Sequence, residues 1–200
     1  MADNVNQRVQ LWPVKATRDY TVFGSLSTGF THIVQWPSNA TNLTAIAGNG
    51  TSGSSAELLN VSRHINFDTN GEYLYIADSG NNRIQMWHVL SNGSVPAAAD
   101  VTVAGGNGAD VRSNKLNGPR AVAVSYKNGA IYASDSLNHR VQRCAMNANY
   151  GVTIAGSPSG LSSTSASLLS NSTGLVLDAN ETHLFVCNTG NHYVQRFRFI

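Results

Sequence analysis

Residues 74–87 read Leu-Tyr-Ile-Ala-Asp-Ser-Gly-Asn-Asn-Arg-Ile-Gln-Met-Trp, and the chain repeats this pattern three more times. Residues 131–144 read Ile-Tyr-Ala-Ser-Asp-Ser-Leu-Asn-His-Arg-Val-Gln-Arg-Cys, and residues 184–197 read Leu-Phe-Val-Cys-Asn-Thr-Gly-Asn-His-Tyr-Val-Gln-Arg-Phe. A shorter copy, Asp-Asn-Val-Asn-Gln-Arg-Val-Gln-Leu-Trp, occupies residues 3–12. Recurrence of one pattern at such intervals predicts an array of similar structural units.

Each copy predicts a β-hairpin. Residues 74–77 form a short apolar run, which is typical of a strand covered on both faces. Residues 83–87 alternate polar and apolar side chains with the period of two that a second strand requires. Between them, Asp78 and Asn81 have short side chains that fold back onto the amides of a turn.

The turn of the first three copies carries an aspartate and, five residues later, an arginine. These pairs are Asp3 and Arg8, Asp78 and Arg83, and Asp135 and Arg140. In the last copy Asn188 and Tyr193 replace both. A partly buried ion pair requires such joint replacement, because losing one partner leaves the other charge unpaired. We therefore predict that each pair interacts across its turn or with the neighbouring unit. Independent substitution in an end repeat is the alternative.

Two further strand patterns complete each unit. One ends in glycine and occurs at residues 20–24, 44–48, 102–106 and 153–156; the other occurs at residues 63–68, 118–124 and 173–178. The order of the four patterns resembles the NHL repeat family. This resemblance implies an all-β fold, an NHL-like β-propeller of about four incomplete, four-stranded antiparallel blades. It also implies that the strand near Pro119 lines a central channel.

The spacing of the repeats predicts one propeller domain, residues 1–200, with an irregular beginning. The turn residues at 3, 78, 135 and 188 are separated by 75, 57 and 53 residues. We divide the chain into repeat units 49–106, 107–156 and 157–200, preceded by partial or degenerate outer strands in residues 1–48. NHL propellers usually close with about six blades, so we interpret the chain as a truncated or internally deleted member.

The predicted number of strands indicates how the propeller ring closes. The last unit supplies three strands, and we expect the strands at residues 8–12 and 20–24 to complete it, in the same chain or a neighbouring one. An arc that stays open would expose a face that another blade normally covers. Such a face predicts self-association.

Composition restricts the function classes. Charged residues are 12% of the chain and the net charge is +2, which argues against nucleic acid as a partner. The sequence contains no run of 18 apolar residues, so it predicts no membrane span.

The acceptor motif for N-glycosylation occurs at Asn39, Asn42, Asn49, Asn60, Asn92, Asn171 and Asn180. These sites favour an extracellular or secreted glycoprotein, although a chain rich in asparagine and serine also forms them by chance.

No residue pattern predicts catalytic residues, a metal site or a cofactor. The histidines show no metal-ligand spacing, and His139 and His192 occupy a turn position where Asn82 also occurs, which favours solvent-facing side chains. Some NHL propellers are amidating lyases with channel histidines, but here only His64 maps to the start of an inner strand.

Cys144 and Cys187 occupy different repeat positions and are predicted to be buried, unpaired thiols.

The resemblance places Arg63, Arg120 and Thr173 at the channel mouth, with His64 as a secondary contact. Two arginines on adjacent blades suit a carboxylate, a phosphate or an acidic loop. The alternative is that each arginine only solvates the rim. We therefore expect a non-enzymatic scaffold that binds a protein, peptide or glycan. A channel-centred lyase or hydrolase is the second hypothesis, and RNA binding on a propeller face is the third.

Overall fold

The computed structural model describes residues 45–89 and 101–198 in full, the backbone of the strands before residue 45, and the side chains of residues 31–33. These parts of the chain are almost entirely β. The strands are β1 (Ala2–Asp3), β2 (Arg8–Leu11), β3 (Asp19–Ser25), β4 (Gly29–Trp36), β5 (Thr44–Ala47), β6 (Ser62–Phe67), β7 (Tyr73–Asp78), β8 (Arg83–His88), β9 (Val101–Gly105), β10 (Ala121–Val124), β11 (Ile131–Asp135), β12 (Arg140–Cys144), β13 (Gly151–Gly156), β14 (Gly174–Leu177), β15 (His183–Asn188) and β16 (Tyr193–Arg198).

Strands that are consecutive in the chain pair antiparallel and form the blades of a propeller-like array. Blade 1 is β2 to β5 with β1 added on β2, blade 2 is β6 to β9, blade 3 is β10 to β13, and blade 4 is β14 to β16. A single residue pair, Phe30 with Ser62, joins the sheets of blades 1 and 2. The prediction of an all-β, antiparallel, four-stranded blade architecture is confirmed, and blade 4 has the three strands expected.

The strands before residue 48 do not pair within the chain as the sequence predicted. The sequence indicated partial or degenerate outer strands there, and we expected the strands at residues 8–12 and 20–24 to complete the last blade, in the same chain or a neighbouring one. In the structure β2, β3, β4 and β5 pair in chain order, and β2 pairs with β1 and β3. Short segments of alternating side chains pair with whichever neighbour lies nearest in the chain, because the loop that closes such a hairpin costs little entropy.

Neighbouring blades are held together by hydrophobic side chains on their facing surfaces. Between blades 1 and 2, Ile33 and Ile46 pack with Ile65 and Leu74. The corresponding groups are Tyr75, Ile84, Val122, Ile131 and Ala133 between blades 2 and 3, and Ala123, Tyr132, Val141, Leu175, Leu184 and Val186 between blades 3 and 4. Blades 2 and 3 are therefore covered on both faces, which explains why residues 74–77 and 131–133 are apolar without alternation.

The second and third strands of blades 2, 3 and 4 are joined by the same tight turn. Each turn is a 3₁₀ segment, Ser79–Asn81, Ser136–Asn138 or Thr189–Asn191. One left-handed residue follows: Asn82, His139 or His192, with φ of 54°, 52° and 62°. Asparagine and histidine are enriched in this region among residues other than glycine. The turn then places Asp78 opposite Arg83, Asp135 opposite Arg140 and Asn188 opposite Tyr193.

The pairing register of the inner strands β6, β10 and β14 shows which of their residues occupy equivalent positions in the three blades. His64 lies opposite Ala77, Ala121 opposite Ser134, and Gly174 opposite Cys187. Each of these opposing residues stands one place before the turn aspartate or asparagine. The residues one position earlier, Arg63, Arg120 and Thr173, are therefore equivalent. The inner strand β10 packs against both β6 and β14, so the three positions follow one another around the array.

Candidate functional site at the channel mouth

Arg63 and Arg120, which the NHL resemblance assigns to the mouth of a central channel, lie close enough for their charges to interact. Their position is called the channel mouth below. Arg63 is exposed and lies at a register shift in β6, between the pairs that Ser62 and His64 make with β7. Arg120 is half-buried, and its backbone N–H donates to the carbonyl of Ser134. Burial, and then the positive charge of Arg63, lower the pKa of Arg120. Two guanidinium groups in this position raise the local positive potential, which suits an anion.

Neither arginine has an acidic partner in the described part of the chain. The ion pairs found there involve other residues, and none includes Arg63 or Arg120. Two like charges without a counter-ion repel each other and lower the stability of the fold. The arrangement therefore leaves two donors of bidentate geometry available to a carboxylate or phosphate.

His64 lies beside Arg63 and is turned toward the next blade. Its Nδ1 accepts a hydrogen bond from the backbone N–H of Val122 at 3.4 Å, so it links β6 to β10. Burial lowers the pKa of His64 to about 4. The ring is therefore neutral at physiological pH and acts as an acceptor between blades, rather than as a second cation at the mouth.

Thr173 continues the same position into blade 4 with a neutral side chain. Its hydroxyl shares a 2.5 Å hydrogen bond with the hydroxyl of Thr189, and its backbone N–H donates to the carbonyl of Cys187. The positive part of the mouth therefore belongs to blades 2 and 3.

The aspartate–arginine pairs clamp the loop that leads into each inner strand. Arg83 Nε donates to Asp78 Oδ2 at 2.7 Å, and its terminal nitrogens donate to the carbonyls of Ser54, Ser55 and Leu58. The other carboxylate oxygen of Asp78 accepts from the backbone N–H of Asn60 at 2.7 Å. One ion pair thus fixes residues 54–60, which position the start of β6 and hence Arg63.

Blade 3 repeats this clamp with deeper burial. Arg140 Nε donates to Asp135 Oδ2 at 2.7 Å, and its side chain is 2% exposed. Its terminal nitrogens donate to the carbonyls of Val111, Arg112, Lys115 and Pro158. Burial raises the pKa of Asp135, against the opposing effect of the Asn138 amide, the backbone N–H of Asn117 and the Arg140 charge. The carboxylate depends on these donors, because desolvation alone disfavours its ionised form.

Blade 4 shows how a neutral version of the clamp works. Asn188 Oδ1 accepts from the backbone N–H of Ser170 at 2.8 Å, and its amide donates to Gln195 Oε1 at 2.8 Å. The Tyr193 hydroxyl donates to the carbonyl of Thr164 at 3.3 Å. The joint replacement of acid and base therefore retains the contacts with the incoming loop while it removes both charges.

The left-handed turn residues join one blade to the next. Asn82 Oδ1 accepts from the backbone N–H of Gly118 at 2.8 Å, and His139 Nδ1 accepts from the backbone N–H of Asn171 at 3.1 Å. The expectation that His139 faces solvent is therefore wrong, because the half-buried ring is an acceptor between blades. His192, at the same position in blade 4, is exposed as expected.

The cysteines are unpaired, but they differ in exposure. Cys144 is buried, and burial raises the pKa of its thiol to about 11. Cys187 is exposed, which corrects the prediction that both thiols are buried. The equivalent residues Ala77 and Ser134 are covered by the following blade, whereas the described chain has no blade after β16.

The described residues hold neither a cluster of metal ligands nor a helix that could cross a membrane. No three histidine, cysteine, aspartate or glutamate side chains are grouped there as a metal site would require. No helix in the same residues has the length and apolar character needed to cross a membrane.

Comparison with a family model identifies the repeat in blade 3. Residues 116–144 match the NHL repeat. The chain contains an NHL repeat. The matched segment includes Arg120, both members of the Asp135–Arg140 clamp, and His139 at the joint to blade 4. The resemblance deduced from the sequence patterns is confirmed there. A search of curated protein sequences finds no match.

Solved structures share the fold of this NHL-containing chain at low sequence identity. An auxiliary nutrient binding protein from Bacteroides thetaiotaomicron has 15% identity and a TM-score of 0.64, over 90% of this chain and 44% of that one. Its counterpart from Bacteroides ovatus has 17% identity with the same TM-score and coverage. A chain of a nidogen/laminin complex has 17% identity and a TM-score of 0.63, over 91% of this chain and 56% of that one. The chain thus spans about half the length of these proteins.

Proposed function

We propose that this chain is a non-enzymatic binding scaffold that receives an acidic segment of a protein or peptide at the channel mouth of its NHL blades. The observation that carries the proposal is the juxtaposition of Arg63 and Arg120 without an acidic partner among the described residues. The loop clamps hold the strand beginnings that present both arginines, so the site is preorganised. A rigid site loses little conformational entropy on binding.

The structural relatives are consistent with a binding role. Two of them are described as nutrient binding proteins, and the third is part of a complex between two proteins. Propeller and loop geometry serve many unrelated functions, so the residues at the mouth carry the argument. Because His64 Nδ1 accepts from Val122, the other ring nitrogen of the neutral histidine carries the proton. It adds a hydrogen-bond donor beside the arginines, which also favours an anionic ligand.

The first prediction tests the two arginines with a hexaglutamate peptide as the probe. We expect Arg63→Ala and Arg120→Ala each to weaken binding by about tenfold, since a hydrogen bond to a charged group is worth about 1.5–3 kcal/mol. Binding should also weaken as salt increases, because the site is partly exposed. Calorimetric titration measures both effects.

Arg112→Ala is the matched control for this prediction. The Arg112 side chain is 71% exposed and lies in the loop before β10 rather than at the mouth. If Arg112→Ala weakens binding as much as Arg120→Ala, the peptide is held by general positive charge and the proposed site is wrong.

We further propose that the outward face of blade 4 binds a second copy of this chain. Val176 and Val194 are 58% and 64% exposed on this face, beside the exposed Cys187. At the position of Val194, blades 2 and 3 carry Ile84 and Val141, both fully buried by the following blade. An apolar sheet face of the type that packs blade against blade favours association.

The second prediction follows from this exposed face. Light scattering should show dimers or larger species at micromolar concentration, and Val194→Lys should shift the population toward monomer, because a buried ammonium group is costly. Val152→Lys is the control, since Val152 is 56% exposed on the outer strand β13 of blade 3. A wild-type chain that remains monomeric across the concentration range would refute the proposal.

A further inference from the structure

A groove of about 830 Å³ lies beside the joint between blades 2 and 3, at the end of the inner strands away from Arg63 and Arg120. It is lined by the turn after β6, the turn after β10 and the turn between β12 and β13. Asp68, which follows β6, is ~16 Å along that strand from Arg63 at its beginning. The groove is therefore separate from the proposed anion site, and its volume is typical of small-molecule sites.

The groove exists because the joint between blades 2 and 3 lacks a contact that closes the next joint. Between blades 3 and 4, Glu181 accepts hydrogen bonds from the hydroxyl of Ser125 and the backbone N–H of Tyr126, both at 2.7 Å. Asn128 occupies the position of Glu181 in blade 3, and its side chain accepts from Ala130 of its own turn. Within the described residues, no hydrogen bond connects the turn at 68–72 with the turn at 125–130.

The walls of the groove are mainly apolar and aromatic. They include Tyr73, Tyr75, Met86, Val101, Tyr126 and Met146. Val101 and Met146 are 49% and 59% exposed, so the apolar surface is open to a ligand. The Tyr126 ring already lies 5.8 Å from the Lys127 ammonium group. No described lysine or arginine lies over Tyr73 or Tyr75, although the Tyr73 ring also contacts the His88 ring at 5.1 Å between centroids.

Among the described residues, Asp68 is the one charged residue that lines the groove. Its Oδ1 accepts from the backbone N–H groups of Glu72 and Tyr73, and its Oδ2 has no partner among the described residues. In blade 4 the equivalent oxygen of Asp178 accepts from the hydroxyl of Thr182 at 2.8 Å. The position of Lys127 in the next blade is occupied here by the neutral Asn70. Within the part of the chain that the structure describes, the groove thus has a carboxylate oxygen available and no lysine or arginine in its lining.

We propose that this groove binds a small organic cation, an ammonium group attached to an apolar or aromatic body. The ammonium group would donate to Asp68 Oδ2 and lie against the rings of Tyr73 and Tyr75, since carboxylates and tyrosine faces both attract cations. The apolar body would cover the methionine and valine side chains. Charge complementarity selects this ligand class over neutral or anionic molecules of the same shape.

Phenethylammonium is the probe, compared with phenethyl alcohol and 3-phenylpropionate of similar shape. We expect the full chain to bind phenethylammonium in calorimetric titration at least tenfold more tightly than either analogue. The NMR signals of the Met86 and Met146 methyl groups should shift together. Equal affinity for the alcohol, or no binding at millimolar concentration, would overturn the proposal.

Asp68→Asn isolates the charge without dismantling the turn, because asparagine retains the Oδ1 that accepts from Glu72 and Tyr73. This variant should bind phenethylammonium about tenfold more weakly. Asp178→Asn makes the same change at the equivalent turn of blade 4 and should leave the affinity unchanged. If both variants weaken binding equally, or if neither does, the assignment to the groove is wrong.

Discussion

Arg140→Ala should lower the free energy of unfolding by about 3–5 kcal/mol, the range found when one partner of a buried ion pair is removed. The Arg140 side chain is 2% exposed and that of Asp135 is fully buried, so the remaining carboxylate would be desolvated without its counter-charge. The substitution also leaves four loop carbonyls without the guanidinium donor. Urea denaturation followed by circular dichroism measures the loss.

The double substitution Asp135→Asn with Arg140→Tyr should cost less than Arg140→Ala alone. It copies blade 4, where the Asn188 amide donates to Gln195 and the Tyr193 hydroxyl reaches a loop carbonyl. In blade 3 the residue equivalent to Gln195 is Gln142. Its amide oxygen and nitrogen are both buried without a hydrogen bond, so it is available to an asparagine at position 135. A new amide at position 135 would satisfy one of them.

Arg143→Ala provides the baseline for this comparison. Arg143 lies on the same strand, is half-buried and belongs to no described ion pair, so its loss should change stability by less than about 0.5 kcal/mol. A double variant as unstable as Arg140→Ala would show that the charges were not the reason that Asn188 and Tyr193 occur together.

The hairpins and their charge pairs could be read from the sequence because they depend on local spacing. The apolar run, the aspartate and the arginine at a fixed interval determine a turn in which the two charges lie opposite each other. The equivalence of Arg63 and Arg120 also follows from the repeat, since register propagates along paired strands. A comparison of the copies thus shows that the two arginines occupy equivalent positions, whereas their assignment to a channel mouth follows from the NHL resemblance.

The contacts between blades could not be derived in this way. His139 was assigned to solvent because Asn82 shares its position, yet both side chains accept a backbone N–H from the next blade. Interchange of asparagine and histidine is therefore a signal for an acceptor held in a left-handed turn. The groove is open where blade 3 carries Asn128, whereas the equivalent Glu181 of blade 4 bonds to the turn of the neighbouring blade. The effect of this difference becomes evident only when the spatial neighbours of each turn are known.

His64 should make the chain less stable as the pH falls from 6.5 to 4. Burial lowers the pKa of the folded state to about 4, while the unfolded chain has the ordinary value of 6.5. Between these values the unfolded state binds more protons, so the free energy of unfolding rises with pH and is lost on acidification. Each unit of pKa difference corresponds to 1.36 kcal/mol, so the full loss in the free energy of unfolding would be about 3 kcal/mol. Partial exposure of the ring reduces this loss.

Comparing wild type with His64→Gln isolates this contribution. Glutamine accepts a hydrogen bond but does not titrate, so the variant should keep its stability across the pH window in which the wild type loses it. Burial raises the pKa of Asp78 and Asp135, which gives an opposite slope at acid pH, but this effect is common to both proteins. His192→Gln, at an exposed position, should reproduce the wild-type profile. Identical pH profiles for wild type and His64→Gln would mean that the ring is hydrated and does not link β6 to β10.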